Sequence, residues 1–171
     1  GQERATVIVG LDTNDRELYR TIRGEGYDEA MAFANEAITA LPSRAYVQAV
    51  RCDLTEPTLE QFYKEWKAKT ENVIIQKYDW WCGELPDRRV SDLAPLRRFP
   101  CWHLQRDLTV LVDGTVPVCR EDLHQSRVLG NVFDSGVEAI WENGAAAYAE
   151  HVAGTYAGIC EQCDEYYTFN F

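Results

Sequence analysis

Along the first half of the chain the apolar positions switch repeatedly between a strand-like and a helix-like period. Ala5 to Gly10 (ATVIVG) is a short run rich in β-branched residues, which predicts a strand buried on both faces. The LDTND that follows carries the Asp and Asn residues that favour a turn or a helix start. Between Asp28 and Leu41, apolar residues recur at Ala30, Phe33, Ala34, Ala37, Ile38 and Leu41, the spacing of an amphipathic helix that Pro42 ends. The unit then repeats. Ala45 to Val50 (AYVQAV) predicts a second strand, and Thr55 with Pro57 starts a helix burying Leu59, Phe62, Tyr63 and Trp66. Asn72 to Gln76 (NVIIQ) predicts a third strand. Strand, helix, strand, helix, strand with short connections implies an α/β fold with a parallel sheet and right-handed crossovers. Three strands do not close a barrel, and open sheet edges are a liability. The pattern therefore implies that another segment covers them or that the chain is part of something larger.

From about Trp80 the character changes. Gly83, Pro86, Pro95 and Pro100 interrupt any long element, and Arg88, Arg89, Arg97 and Arg98 cluster nearby, so two domains are expected, residues 1–95 and 96–171. Beyond this break, Leu108 to Val112 (LTVLV), Asp113-Gly114 and Thr115 to Val118 (TVPV) predict a β-hairpin closed by a two-residue type I′ turn, with Pro117 marking an edge strand. Ser135 and Glu138 stand at capping-box spacing ahead of Val137, Ile140 and Trp141, predicting a short helix that Asn143-Gly144 ends. An aromatic-rich tail from Gly158 to Phe171 contains Cys-Glu-Gln-Cys.

Charge removes one class of partner. The chain has 28 acidic and 17 basic residues, a net charge of −11, so its field repels a phosphate backbone and nucleic acid is not an expected partner. No run reaches the roughly 18 apolar residues of a membrane span, and no basic stretch followed by an apolar block opens the sequence. No membrane association is expected.

Six cysteines would suit a disulfide framework only in a secreted protein. Cys160 and Cys163 have the spacing at which two thiolates of one turn grip one metal site, and the pair needs two further ligands. Cys101 and Cys119 are the candidates, because a chain reversal at Asp113-Gly114 returns Cys119 towards Cys101. Two disulfides, or a redox CxxC pair with two bystanders, are the alternatives, although a redox CxxC opens a helix after a strand. Four thiolates suit Zn²⁺ and iron-sulfur clusters alike. Cys52 and Cys82 lack a close partner and read as small apolar residues. His103, His124 and His151 stand at no ligand spacing and read as surface or packing residues.

The run FPCWHLQRDLTVLVDGTVPVCREDLHQSRVLGNVFDSGVEAIWENG resembles the SPASM and twitch domains that follow the barrel in many radical SAM enzymes. Their pattern is a Cys, nine to fifteen residues, a Gly, four residues and a Cys; here Cys101 is followed by twelve residues, Gly114, four residues and Cys119. The Leu129 to Asn131 segment and the Ile140-Trp141 pair fit the same pattern. The resemblance implies a [4Fe-4S] auxiliary cluster on Cys101, Cys119, Cys160 and Cys163, with zinc as the alternative. Full SPASM domains carry seven cysteines, so this chain is similar to the one-cluster twitch type, small and α+β. Trp102, Trp141 and Tyr166 would then shield the cluster. The front half resembles the later strands of a radical SAM partial (β/α) barrel, which would bring Asp12 and Arg23 near S-adenosylmethionine. Sulfatase-maturing relatives carry an Asp after the second cysteine of the pattern, where this chain has Arg120. The CxxxCxxC motif of the SAM-cleaving cluster is absent from these residues, so the chain alone is expected to be inactive and to be a C-terminal segment, most similar to the spiro-SPASM group. The implied partners are a missing N-terminal radical SAM half, a peptide or small-molecule substrate and an electron-transfer protein, in the reducing cytoplasm.

Overall fold

The computed structural model describes residues 5–90 and 98–165. They divide into two compact units, residues 5–78 with 87–90 and residues 79–86 with 98–165. The expected break between residues 95 and 96 lies outside the described residues.

In the first unit β1 (Val7–Gly10), α1 (Arg16–Arg23), α2 (Tyr27–Ala40), β2 (Ala45–Arg51), α3 (Glu56–Lys67) and β3 (Val73–Lys77) follow one another. The strands form a parallel sheet in the order β1-β2-β3, as the alternating pattern predicts. Strand parity divides the sheet's faces. Val9, Val47 and Ala49 are buried with Ala34 and Ala37 of α2 and Phe62 and Trp66 of α3. The opposite parity carries Ile8, Gly10, Tyr46, Gln48 and Gln76. Ile8 is exposed, and Gln48 donates a hydrogen bond to Gln76. The expectation that β1 is buried on both faces is corrected accordingly: helices cover one face of this sheet, so only one parity of apolar residues leaves water.

Local chemistry sets the element ends. LDTND becomes both turn and cap: Asp15 caps α1 by accepting the Leu18 N–H, and Asn14 accepts the Trp66 indole N–H. α1 then continues through the TIRG segment as far as Arg23. Thr55 precedes α3, accepts the Cys52 N–H and donates to the Val50 carbonyl. Cys52 is buried beside it, in the apolar role its sequence context suggests.

In the second unit α4 (His103–Arg106), β4 (Thr115–Pro117), β5 (Val128–Asn131) and α5 (Val137–Val152) are joined by irregular segments. The predicted hairpin is not formed. Leu108 to Val112 makes no strand, and β4 pairs antiparallel with β5. The chain does reverse at Asp113-Gly114, but through a three-residue loop. Gly114 donates to the Leu111 carbonyl, Leu111 donates to the Thr115 carbonyl, and only Gly114 of the loop has positive φ, +82°. That is a type I turn closed by a left-handed glycine, whereas type I′ demands positive φ at both central residues. The capping box is also unformed: Gly136 occupies the N-cap position and no side chain caps α5. Nor does Asn143-Gly144 end the helix, which runs on through three alanines of high helix propensity to Val152. Gly144 is buried in this helix, where a Cβ would make an ordinary contact with Leu129 at 3.4 Å. Asn143 donates to the Leu129 carbonyl.

Gly114 has no such latitude. A Cβ built on it would lie 2.5 Å from Phe133 and 2.6 Å from the Asn131 side-chain oxygen, in a conformation L residues rarely adopt. Asn131 itself joins the two loops, donating to the Asp113 carbonyl and accepting the Phe133 N–H. Gly114→Ala is therefore expected to lower the stability of the second unit by roughly 1–3 kcal/mol, measured as a shift of its urea unfolding transition.

A candidate metal centre in the second unit

One cavity of the second unit is lined by Cys101, Cys119, Cys160 and Cys163, with His103, Leu104, Arg120, Glu121, His151, Ile159 and Glu165 completing its wall. All four sequence-predicted cysteines thus face one space, and none forms a disulfide. Among the described residues, no three His, Cys, Asp or Glu side chains converge tightly enough to chelate one ion.

Each sulfur is delivered by short, irregular backbone. Cys101 precedes α4, and its sulfur accepts the N–H groups of His103 and Leu104 at the helix start. Cys119 follows β4, and its sulfur accepts those of Glu121 and Asp122. Cys160 lies in a single helical turn, Gly158–Glu161, entered through Gly158 at φ +63°. The Arg98 guanidinium holds that turn by donating to the Cys160 carbonyl at 2.5 Å. Cys163 comes next, and its sulfur accepts the Glu165 N–H at 3.4 Å. Amide donors aimed at sulfur stabilise thiolate, which is the metal-binding form.

Desolvation works in the opposite direction. Burial raises Cys101, carries Cys160 up to about 11 and Cys119 up to about 12. Without metal these thiols hold their protons at neutral pH, so loading the site releases protons. Cys163 differs. It is lowered, chiefly by a hydrogen bond from the Cys82 thiol, and Cys82 is raised by the same bond. Cys82 thus does have a close partner, although no sequence spacing advertises it.

The histidines divide. His124 pairs with Glu84 at the surface. His151, near the end of α5, is buried and accepts the Cys101 N–H on Nδ1 at 3.2 Å. Burial lowers its pKa and so favours the neutral ring that such an acceptor requires. His103 stacks on Trp102 with centroids 3.9 Å apart, and its Nδ1 meets Asp107 at 2.5 Å. Both rings border the cavity, and their sequence positions give no sign of it. Trp102 touches the site only through His103 and is not itself part of the cavity wall. Trp141 is 41% exposed and not part of the cavity wall, and Tyr166 lies outside the described residues.

Arg120 faces three acids, Asp79 and Glu165 at 3.1 Å each and Glu121 at 2.8 Å. Burial, with Asp79 and Glu165 adding to it against the opposing pull of Arg120, pushes Glu121 up to about 7 from an ordinary 4.5. The native chain keeps this proton where the unfolded chain has lost it. The carboxyl's contribution is therefore complete below about pH 4.5 and lost as pH rises through about 7. In the metal-free chain, wild type is expected to lose on the order of 2 kcal/mol relative to Glu121→Gln across that window, measured by urea unfolding at a series of pH values.

In the first unit, Asp12 and Arg23 do meet. The Arg23 Nε lies 2.7 Å from the buried Asp12 carboxylate, which also accepts the Val50 N–H at 2.8 Å. The guanidinium occupies the position a Cβ on Gly10 would need. This places it at the carboxyl end of β1, the end at which open parallel sheets take ligands.

Residues 101–164 match the model of SPASM, an iron-sulfur cluster-binding domain. The match spans all four cysteines of the cavity and excludes Cys82. An uncharacterized protein of Treponema pallidum (strain Nichols) is 44% identical over 171 residues, covering 96% of this chain and 48% of that protein. The chain thus spans about half the length of the curated relative it matches. No solved structure matches. Among the described residues, no helix is long and apolar enough to cross a membrane.

Proposed function

We propose that the second unit carries one [4Fe-4S] cluster on Cys101, Cys119, Cys160 and Cys163, as a twitch-type auxiliary centre of a radical SAM enzyme. The observation that carries this reading is the convergence of four non-disulfide cysteines on one cavity, within the residues that match an iron-sulfur domain. The donor set fits the group: four sulfurs offer one ligand to each iron, and backbone amides point at three of them. A zinc ion would draw four sulfurs to about 2.3 Å of one point. The match of residues 101–164 to an iron-sulfur domain favours the cluster over zinc.

When bound, such a cluster supplies one-electron transfer. With every iron matched by a protein thiolate, the arrangement suits relay of electrons rather than direct ligation of substrate. The protein's own part is to hold the thiolate charge. The amides of His103, Leu104, Glu121, Asp122 and Glu165 stabilise it, His151 fixes the Cys101 backbone, and Arg98 fixes the Cys160 turn. Arg120 stands where an acid-base Asp is expected by resemblance, and it is engaged with three carboxylates. No proton transfer is assigned to it.

The first unit is read as part of a radical SAM partial barrel, with the Asp12–Arg23 pair at the end of β1 where S-adenosylmethionine would bind. Because the residues in hand contain no CxxxCxxC, cleavage of S-adenosylmethionine is assigned to a missing N-terminal half of the complete protein. A peptide or small-molecule substrate, an electron-transfer partner, cytoplasmic location and kinship to the spiro-SPASM group belong to the same proposal.

Anaerobic reconstitution with iron and sulfide tests the centre. A brown chain holding about four irons and four sulfides is expected. Alanine at Cys101, Cys119, Cys160 or Cys163 should each cost at least about tenfold in metal retention, read by iron analysis and thiolate-to-iron absorption. A colourless chain binding a single zinc would overturn the reading.

A further inference from the structure

We infer that Tyr156 is a positioning residue of the metal centre, the common contact of Arg98 and His151 through which the Cys101 backbone is held in register with the Cys160 turn. The inference rests on the reading of these cysteines as ligands and adds to it a residue that lies outside the cavity wall.

The two ends of the contact chain are main-chain hydrogen bonds to two different cysteines. At one end the Arg98 guanidinium donates to the Cys160 carbonyl at 2.5 Å and to the Glu161 carbonyl at 3.4 Å. At the other, Nδ1 of the buried His151 accepts the Cys101 N–H at 3.2 Å. Tyr156 joins them. The Arg98 guanidinium carbon lies 3.9 Å from its ring centroid, and the His151 ring centroid lies 4.6 Å away with the two planes at 52°.

The sequence positions turn this chain of contacts into a closed brace. Arg98 stands just before Cys101, and Tyr156 just before Cys160. Each cysteine segment therefore carries one member of the brace, and each reaches across to the other: Arg98 to the Cys160 carbonyl, Tyr156 through His151 to the Cys101 amide. Regular structure does not do this job. Tyr156 lies between the end of α5 and the Gly158–Glu161 turn, where no helix or strand fixes the backbone.

The chemistry of the three side chains suits the role. A guanidinium is flat and stacks on an aromatic face, so a ring beside it selects one of the many conformations of a long side chain. An imidazole acceptor points in the plane of its ring, so the tilt of that ring decides whether Nδ1 meets the Cys101 amide. A ligand set must be held to within about 0.5 Å to keep its metal. The aromatic face, rather than the phenol hydroxyl, is what both contacts use.

Hydrogen exchange of the Cys101 amide in the metal-free 171-residue chain gives the first test and requires no iron. Tyr156→Leu is expected to speed that exchange roughly fivefold. The Val118 amide, which donates to the Arg127 carbonyl at 2.8 Å beside the β4–β5 pair, is expected to keep its rate. Tyr156→Phe, which retains the ring, is expected to match wild type at both. After anaerobic reconstitution, Tyr156→Leu should lose iron at least about tenfold faster and broaden the electron paramagnetic resonance signal of the reduced state, while Tyr156→Phe restores both. Arg98→Lys keeps the charge but not the flat group and should show the same iron loss, and the double variant should lose iron no faster than the worse single one. Unchanged Cys101 exchange and iron release in Tyr156→Leu would overturn the inference while leaving the cluster reading intact. Equal acceleration at Cys101 and Val118, or fully additive iron losses, would overturn it as well. A wild-type chain that takes up no iron would overturn the cluster reading, and the exchange rates would still decide the brace.

Discussion

Gathering four partly buried thiols around one cavity is the constraint under which the second unit is built. A buried thiolate is costly unless it is hydrogen-bonded and neutralised. The structure answers the first need with main-chain amides, which require short turns immediately after Cys101, Cys119 and Cys163. This explains why these cysteines stand on irregular backbone instead of regular strands or helices, whose amides are already committed to their own ladders. The second need is left to a cation, consistent with the raised Cys101, Cys119 and Cys160 thiols.

Regular elements of this unit brace those turns. β4 delivers the chain to Cys119, α4 follows Cys101, and α5 carries His151 to the Cys101 amide. Ile140 of α5 is fully buried against β5, where a Cβ on Gly130 would come within 3.0 Å of its side chain. Helix and strand therefore meet closely enough to hold that histidine in place. Arg98 and Arg120 act at opposite charge problems: the first satisfies carbonyls of the Cys160 turn, and the second lies among carboxylates that would otherwise repel one another.

Much of the first unit was legible because its elements follow single periods. β-Branched runs gave the strands, and the apolar spacings within Asp28 to Leu41 and Thr55 to Trp66 gave α2 and α3, each within a residue or two of the observed ends. Of the four cysteines that line the cavity, Cys160 and Cys163 were picked out by their spacing, and Cys101 and Cys119 by the chain reversal at Asp113-Gly114. The second unit resisted where two local signals competed. Leu108 to Val112 is apolar and β-branched like a strand, yet Val112 points fully into water and the strand next to β4 comes from the less conspicuous Val128 to Asn131. Asn143-Gly144 reads as a helix stop, but the alanines beyond it and the hydrogen bond from Asn143 to the Leu129 carbonyl carry the helix on. Cys82 and the two cavity histidines were illegible for another reason: tertiary contacts bring them to the site, and no local spacing encodes such contacts.

The segment linking Cys119 to Cys160 holds β5 and α5, while only two residues separate Cys160, in the Gly158–Glu161 turn, from Cys163 just beyond it. Closing a chain loop becomes only slowly more expensive with length, roughly 0.6 kcal/mol for each doubling, whereas the two-residue interval must keep its size for both sulfurs to face inward. Evolution is thus free to lengthen or decorate the surface between Cys119 and Cys160 and is held to strict economy at the CxxC. Divergent descendants of this domain should vary most in girth across that arch and least at its final buckle.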